Sequence, residues 1–159
     1  MRNAASPSLR GARGFTLVEL MLIVMIVAIL IQLARGFYQN YRERTDLAQA
    51  ANDIAQISTE ILHYGLDHRG LPDTLADIGR AGKKDPWGNV YQYLNHQTLK
   101  GNGSLRKDKN IVPINSDFDL YSVGKDGQTQ ATLTAGVSRD DVVRANNGRF
   151  VGLASEYDP

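Results

Sequence analysis

Apolar and polar residues divide the chain into stretches of different period. From Phe15 to Ala34 only Thr16, Glu19 and Gln32 are polar. A run of about 20 residues makes a helix of roughly 30 Å, the thickness of a bilayer core. The pattern then changes. Leu47, Ala50, Ile54, Ile57, Ile61 and Tyr64 recur in steps of three and four, with Asn52, Gln56 and Glu60 between them. That spacing puts one apolar stripe on one helix face. Phe37, Tyr38 and Tyr41 bridge the two halves, beside Arg35, Arg42 and Arg44. The pattern predicts a single helix from about Thr16 to Gly65, its first half in lipid and its second half against a folded domain. Gly36 is a weak point in it, costing about 1 kcal/mol relative to alanine.

The remainder predicts short strands between turns. Gly65, Gly70 and Pro72 close the helix and open a loop, and residues 73–78 suit a short helical turn. Lys83 to Asn89 is turn chemistry ahead of a strand from Val90 to Leu94, with Trp87 expected as a core plug under the sheet. Gly101 to Asn110 reads as a solvated hairpin loop carrying Arg106, Lys107 and Lys109. Phe118, Leu120 and Ser122 alternate with Asp119, Tyr121 and Val123, a strand ending at Gly124. A turn at Lys125-Asp126-Gly127 and a looser segment follow. Ser138 with Asp141 three residues on predicts a helix start, with Val142 to Ala145 as one short turn. Asn146-Asn147-Gly148 turns again before a last strand within 149–154. The fold class expected is therefore α+β: a long N-terminal helix packed by a small antiparallel sheet.

Charge adds direction. Arg2, Arg10 and Arg13 precede the apolar run, and no acid stands before Glu19. Basic residues stay on the cytoplasmic side, which sends the rest of the chain outward. Without the three leader arginines the formal net charge of +1 becomes −2. That near-balance argues against a nucleic-acid partner. There is no cysteine, so no disulfide staples the head. His63, His68 and His96 are scattered, and no serine–histidine–acid set, phosphate loop or zinc spacing occurs. Asp117 and Asp119 form a pair without a base beside them, so an enzyme is not expected.

Glu19 is the anomaly. A carboxylate in a membrane helix costs about 2.5–3.5 kcal/mol at the centre and less near an end, and such residues mark a function. Gly14-Phe15-Thr16-Leu17-Val18-Glu19 ahead of a long apolar run resembles the processing signal of type IV prepilins and type II secretion pseudopilins. The resemblance implies cleavage by a prepilin peptidase between Gly14 and Phe15, and N-methylation of Phe15. It also implies that Glu19 meets the new amino terminus of a neighbouring subunit, two buried charges that offset each other's desolvation. Residues 1–14 would then be a leader, 15–35 the membrane and filament-core half of the helix, and 36–159 the periplasmic part.

The resemblance extends into the head. Tyr64-x-x-Asp67-x-x-Gly70-x-Pro72 is similar to the pseudopilin helix exit, and Asp85-Pro86-Trp87-Gly88-Asn89-x-Tyr91-x-Tyr93 is similar to the major pseudopilins of type II secretion systems. The missing cysteines lean the same way. At Gly36 this chain departs from the usual proline. In major pseudopilins a Ser-x-Gly-x-Asp-Gly segment leads into a calcium loop, and this chain has Ser122-Val123-Gly124-Lys125-Asp126-Gly127. The resemblance implies calcium held by the Val123 carbonyl, by Asp126, and by Asp140 or Asp141 in a loop longer than the family's. The partners it implies are the prepilin peptidase, other copies and other pseudopilins in a filament, and an inner-membrane assembly platform. The function expected is a structural subunit of a secretion pseudopilus, built from the inner membrane into the periplasm. A type IV pilus subunit and a membrane-anchored binding module that never polymerises are the alternatives. A secretory signal cut near Ala34 competes for the N-terminus but leaves Glu19 unexplained.

Overall fold

The computed structural model describes residues 14–99, 101 and 104–159. The leader arginines lie outside the described residues. Two compact units divide the chain between Tyr41 and Arg42. Helix α1, Leu17–His68, begins in the first and ends in the second. It is unbroken through Gly36. Thr16 caps it: its Oγ1 accepts from the Glu19 N–H at 3.2 Å, and its carbonyl from Leu20 at 3.1 Å. Such a cap satisfies donors that the helix itself cannot. In the first unit every described residue is exposed, including the apolar side chains from Phe15 to Leu33. An 18-residue window of mean hydropathy 2.8 makes α1 long and apolar enough to cross a membrane.

In the second unit the stripe expected on α1 is buried. Ala50, Ile54, Ile57 and Ile61 have almost no exposure, and Leu47 packs against them. The helix runs three residues past Gly65 and stops where Arg69 takes a positive φ of 58°. Leu71 lies against Gly65, 3.4 Å from where a Cβ would be. Residues 73–79 form turns rather than a helix.

Four strands follow: β1 Gln92–Asn95, β2 Phe118–Ser122, β3 Val142–Ala145 and β4 Phe150–Leu153. They form one antiparallel sheet in chain order. Leu94 faces Asp119 across β1–β2, Tyr121 faces Val143 across β2–β3, and Arg144 faces Val151 across β3–β4. The face carrying Phe118, Leu120 and Val142 packs on α1 with Leu75 and Tyr91. Trp87 packs at the margin of that core, partly buried.

Two further expectations fail. Residues 142–145 form a strand, not a helical turn. All four are buried, and β-branched Val142 and Val143 pair on both sides, with Ser122 and Tyr121 on one and Leu153 and Gly152 on the other. The capping bonds expected at Ser138 do not form: Ser138 closes a 3-10 turn at Gly136–Ser138, its Oγ accepts from the Gln130 N–H at 2.8 Å and donates to the Gln130 carbonyl at 3.1 Å, and Asp141 turns to Arg106 and Thr129. The segment 101–110 is also not simply a solvated loop. Leu105, Arg106 and Asp108 are buried. Residues 105–108, with Ile114 and Leu133, cover the sheet face opposite α1. A second core lies there, built on Ile114, Leu133, Val143, Ala145 and Ala154.

Candidate functional site: the helix start and the strand-end loop

Two regions hold the candidate residues, one in each unit. At the start of α1, Gly14, Phe15 and Thr16 precede the first helical turn, and Glu19 falls within it. Among the described residues a hypothetical Cβ on Gly14 meets nothing within 4 Å, so none of them requires glycine there. Phe15 is 74% exposed and Glu19 is exposed too. The Thr16 cap shows why a polar residue can precede the apolar run. An acid in the first turn also suits the positive end of the helix dipole. That local role was visible in the Thr16-x-x-Glu19 spacing and was missed in the sequence.

The second region joins the two head motifs. Asp85 is buried, and its Oδ1 accepts from the N–H groups of Trp87 at 3.0 Å and Asn89 at 2.8 Å. Its Oδ2 accepts from Ser122 Oγ at 2.5 Å. Asn89 Nδ2 donates to the Gly124 carbonyl at 2.8 Å. The Asp85–Asn89 turn is thereby docked on the end of β2, where Ser122-Val123-Gly124 begins the loop. Gly124 must be glycine: its φ is +68°, and a Cβ would lie 2.5 Å from the Asp140 carbonyl oxygen.

The four residues expected around a metal divide their work. Val123 is buried at the end of β2. Asp126 is exposed, and its Oδ1 accepts from Gln128 N–H at 2.8 Å. Asp140 Oδ2 accepts from the N–H groups of Lys125 at 2.9 Å and Asp126 at 3.1 Å. Asp141 is fully buried and turned the other way, its Oδ2 against Arg106 Nη2 at 2.5 Å and Thr129 Oγ1 at 2.6 Å. Among the described residues its Oδ1 has no hydrogen-bond partner. Burial pushes the Asp141 carboxyl up to about 6 against the lowering by Thr129 and Arg106, and the charges of Asp140 and Asp126 add to the rise. Among the described residues no group of three or more His, Cys, Asp or Glu side chains is placed to hold a metal ion. The loop offers fewer carboxylates than that, together with main-chain oxygen.

Arg106, expected on a solvated hairpin loop, is instead buried. It is 3% exposed. Its Nη1 donates to Thr129 Oγ1 at 2.8 Å and the Gln130 carbonyl at 2.5 Å, and its guanidinium stacks 3.7 Å over the Tyr121 ring. Its main-chain N–H reaches Asp119 Oδ2 at 2.9 Å. It clamps the segment 129–141 onto the back of the sheet. Asp117 and Asp119 likewise serve structure. Asp117 holds Arg144 with two bonds at 2.8 and 2.7 Å, and Asp119 Oδ1 accepts from Asn115.

An apolar, exposed helix start joined to a head of one helix and a four-stranded antiparallel meander defines a pilin-like filament subunit. Comparison with known proteins gives the family. Type II secretion system core protein G of Pseudomonas aeruginosa is 31% identical over 140 residues, covering 75% of this chain and 87% of that protein. The Vibrio cholerae core protein G is 29% identical, covering 76% and 85%. A fimbrial protein of Neisseria meningitidis is 26% identical, covering 85% and 80%. No protein-family model and no solved structure matches. The chain belongs to the type II secretion core protein G family, the major pseudopilins. It is a structural subunit of a pseudopilus, assembling with other pseudopilins into a filament, and its relatives are structural proteins. The fimbrial similarity fits a pilus subunit only weakly.

Proposed function

We propose that this chain is made as a precursor, cut between Gly14 and Phe15 by a prepilin peptidase, and methylated on the Phe15 amine. It then waits as a single-pass protein of the inner membrane with its head in the periplasm. An assembly platform draws it into a periplasmic filament that supports protein export. Within that filament Glu19 pairs with the Phe15 amine of a neighbour. The observation that carries this reading is the placement of Gly14, Phe15 and Glu19 at the capped start of an exposed apolar helix. An isolated carboxylate in hydrocarbon is expensive, and an amine delivered by the next subunit offsets it. Intact-mass measurement of protein extracted from membranes tests the processing. The expected mass is that of a chain starting at methylated Phe15; a chain starting at Met1 or after Ala34 would overturn it.

Calcium belongs to the same proposal. The Val123 carbonyl, Asp126 and Asp140 would supply oxygens, with water completing the six to eight that calcium takes. Asp141 would stay with Arg106. Support comes from the donor chemistry: two carboxylates and a main-chain carbonyl lie on one loop, with Asp140 Oδ2 at the N–H groups of Lys125 and Asp126. A bound cation would hold the exposed loop against the end of β2.

A further inference from the structure

Among residues 14–41 only Glu19 and Arg35 are charged. Arg35 stands 18 residues beyond Leu17 (35 − 17), the first residue of α1. That is about 27 Å along the helix, close to the depth of a hydrocarbon core. Arg35 is exposed, and among the described residues it has no ion pair. Arg42, by contrast, has Asp46 at 3.8 Å. An arginine at this end of the apolar run works against the orientation that a basic leader sets, because cations are kept from the outward side. A guanidinium placed there calls for a counter-charge, and residues 14–41 supply none near it.

Val24, Val27, Ile31, Arg35 and Tyr38 follow one another in steps of three and four, so they share one face of the helix. Ile31 is 52% and Tyr38 66% exposed. Gly36 stands next to Arg35, and nothing lies within 4 Å of where its Cβ would be, so the approach to the guanidinium is open on that side. We propose that this face binds an anionic phospholipid of the outward leaflet. Arg35 grips the phosphodiester through paired N–H donors, the geometry in which a guanidinium surpasses a point charge. The Tyr38 hydroxyl donates to the same phosphate from one turn above. The acyl chain lies along Ile31 and Val27. Tyr38 and Tyr41 stand where amphipathic rings gather, at the headgroup level. A zwitterionic lipid offers the same phosphate but brings an ammonium that opposes Arg35; a lipid of net negative charge brings none. The proposal rests on the single-pass reading of α1, which puts Arg35 at that level.

The test uses the full chain reconstituted in phosphatidylcholine vesicles. One set carries a minor fraction of phosphatidylglycerol with a photoactivatable group high on its acyl chain, the other the same fraction of phosphatidylethanolamine labelled identically. The expected result is that phosphatidylglycerol adducts exceed phosphatidylethanolamine adducts about five-fold, the factor that about 1 kcal/mol for one basic residue at an anionic surface gives, and that they map to the peptide from Ile31 to Tyr38. Arg35→Gln should bring the two lipids level at unchanged insertion, and Arg35→Lys, which keeps the charge, should keep a preference. Excess glycerol phosphate in the buffer should displace nothing, because a soluble phosphate has no acyl chain to lay along Ile31. Equal labelling by the two lipids in wild type, a preference that survives Arg35→Gln, or displacement by glycerol phosphate would overturn the site while leaving the anchor reading standing. A chain that alkaline carbonate strips from the vesicles would overturn both.

Discussion

Arg106→Met should destabilise the head severely, and by an amount that depends on pH. The substitution keeps the apolar stem but removes the charge, the bonds to Thr129, Gln130 and Asp141, and the stack over Tyr121. Asp141, with no exposure, is left without a counter-charge. Breaking one side of a buried pair costs about 3–5 kcal/mol. For a unit spanning residues 42–159, that lowers the melting temperature by about 12–20 °C. The pH dependence follows from Asp141. Its carboxyl already sits near 6 in the folded state, above its ordinary value. Loss of Arg106, one of the groups holding it down, moves it higher. An acid whose folded pKa is raised contributes stability while protonated and loses it as pH climbs through that raised value. The deficit of Arg106→Met should therefore be larger at pH 8 than at pH 5. Adding Asp141→Asn to Arg106→Met should recover a good part of it at pH 8. Urea unfolding of a soluble fragment of residues 42–159 at both pH values measures this. A deficit below about 1 kcal/mol would refute the clamp, since buried pairs do not break so cheaply. Equal deficits at both pH values would refute the role given to Asp141.

Three further outcomes are expected. Glu19→Val should insert into the membrane at least as well as wild type but yield few cross-linked oligomers and little secretion; wild-type levels of both would reject the pairing with a neighbour's amine. Calcium at 100 times its dissociation constant should stabilise the head by about 2.7 kcal/mol, raising its melting temperature by about 10 °C, and Asp126→Ala should remove most of that; coincident curves in calcium and chelator would rule the site out. Gly124→Ala should lower the melting temperature by several degrees, because the new Cβ meets the Asp140 carbonyl at 2.5 Å and φ is +68°; an unchanged melting curve would show that the turn relaxes freely.

Local patterns announced most of this fold. The stripe of Ala50, Ile54, Ile57 and Ile61 is buried as its period required, because a helix pattern needs no distant partner to be recognised. The strand at Phe118–Ser122 followed from its alternation. The Asp85–Asn89 and Ser122–Gly127 motifs were legible separately, but not the bond from Ser122 to Asp85 that docks one on the other. What stayed hidden depended on distant residues. Val142 to Ala145 looked like a helical turn because Ser138 and Asp141 carry a capping signature, and four residues are too few for a period to decide. Strand pairing with β2 and β4 decided it. Arg106 looked like surface charge because its partners, Asp141 and the Tyr121 ring, lie far along the chain. Of the candidate site, Gly14, Phe15 and Glu19 stood out because a carboxylate interrupts an otherwise apolar run. Thr16's cap does not show in apolar periodicity, because it is a bond between one hydroxyl and one main-chain N–H ahead of the stripe.

The central claim is that copies of this chain build the body of a filament. Immunogold electron microscopy of filaments released by opening the outer membrane of cells that express it, with antibody against the head, tests this most directly. The account predicts gold along the full length of the filaments, and no filaments from cells carrying Glu19→Val. Gold confined to membrane fragments, with filaments either absent or unlabelled, would contradict it.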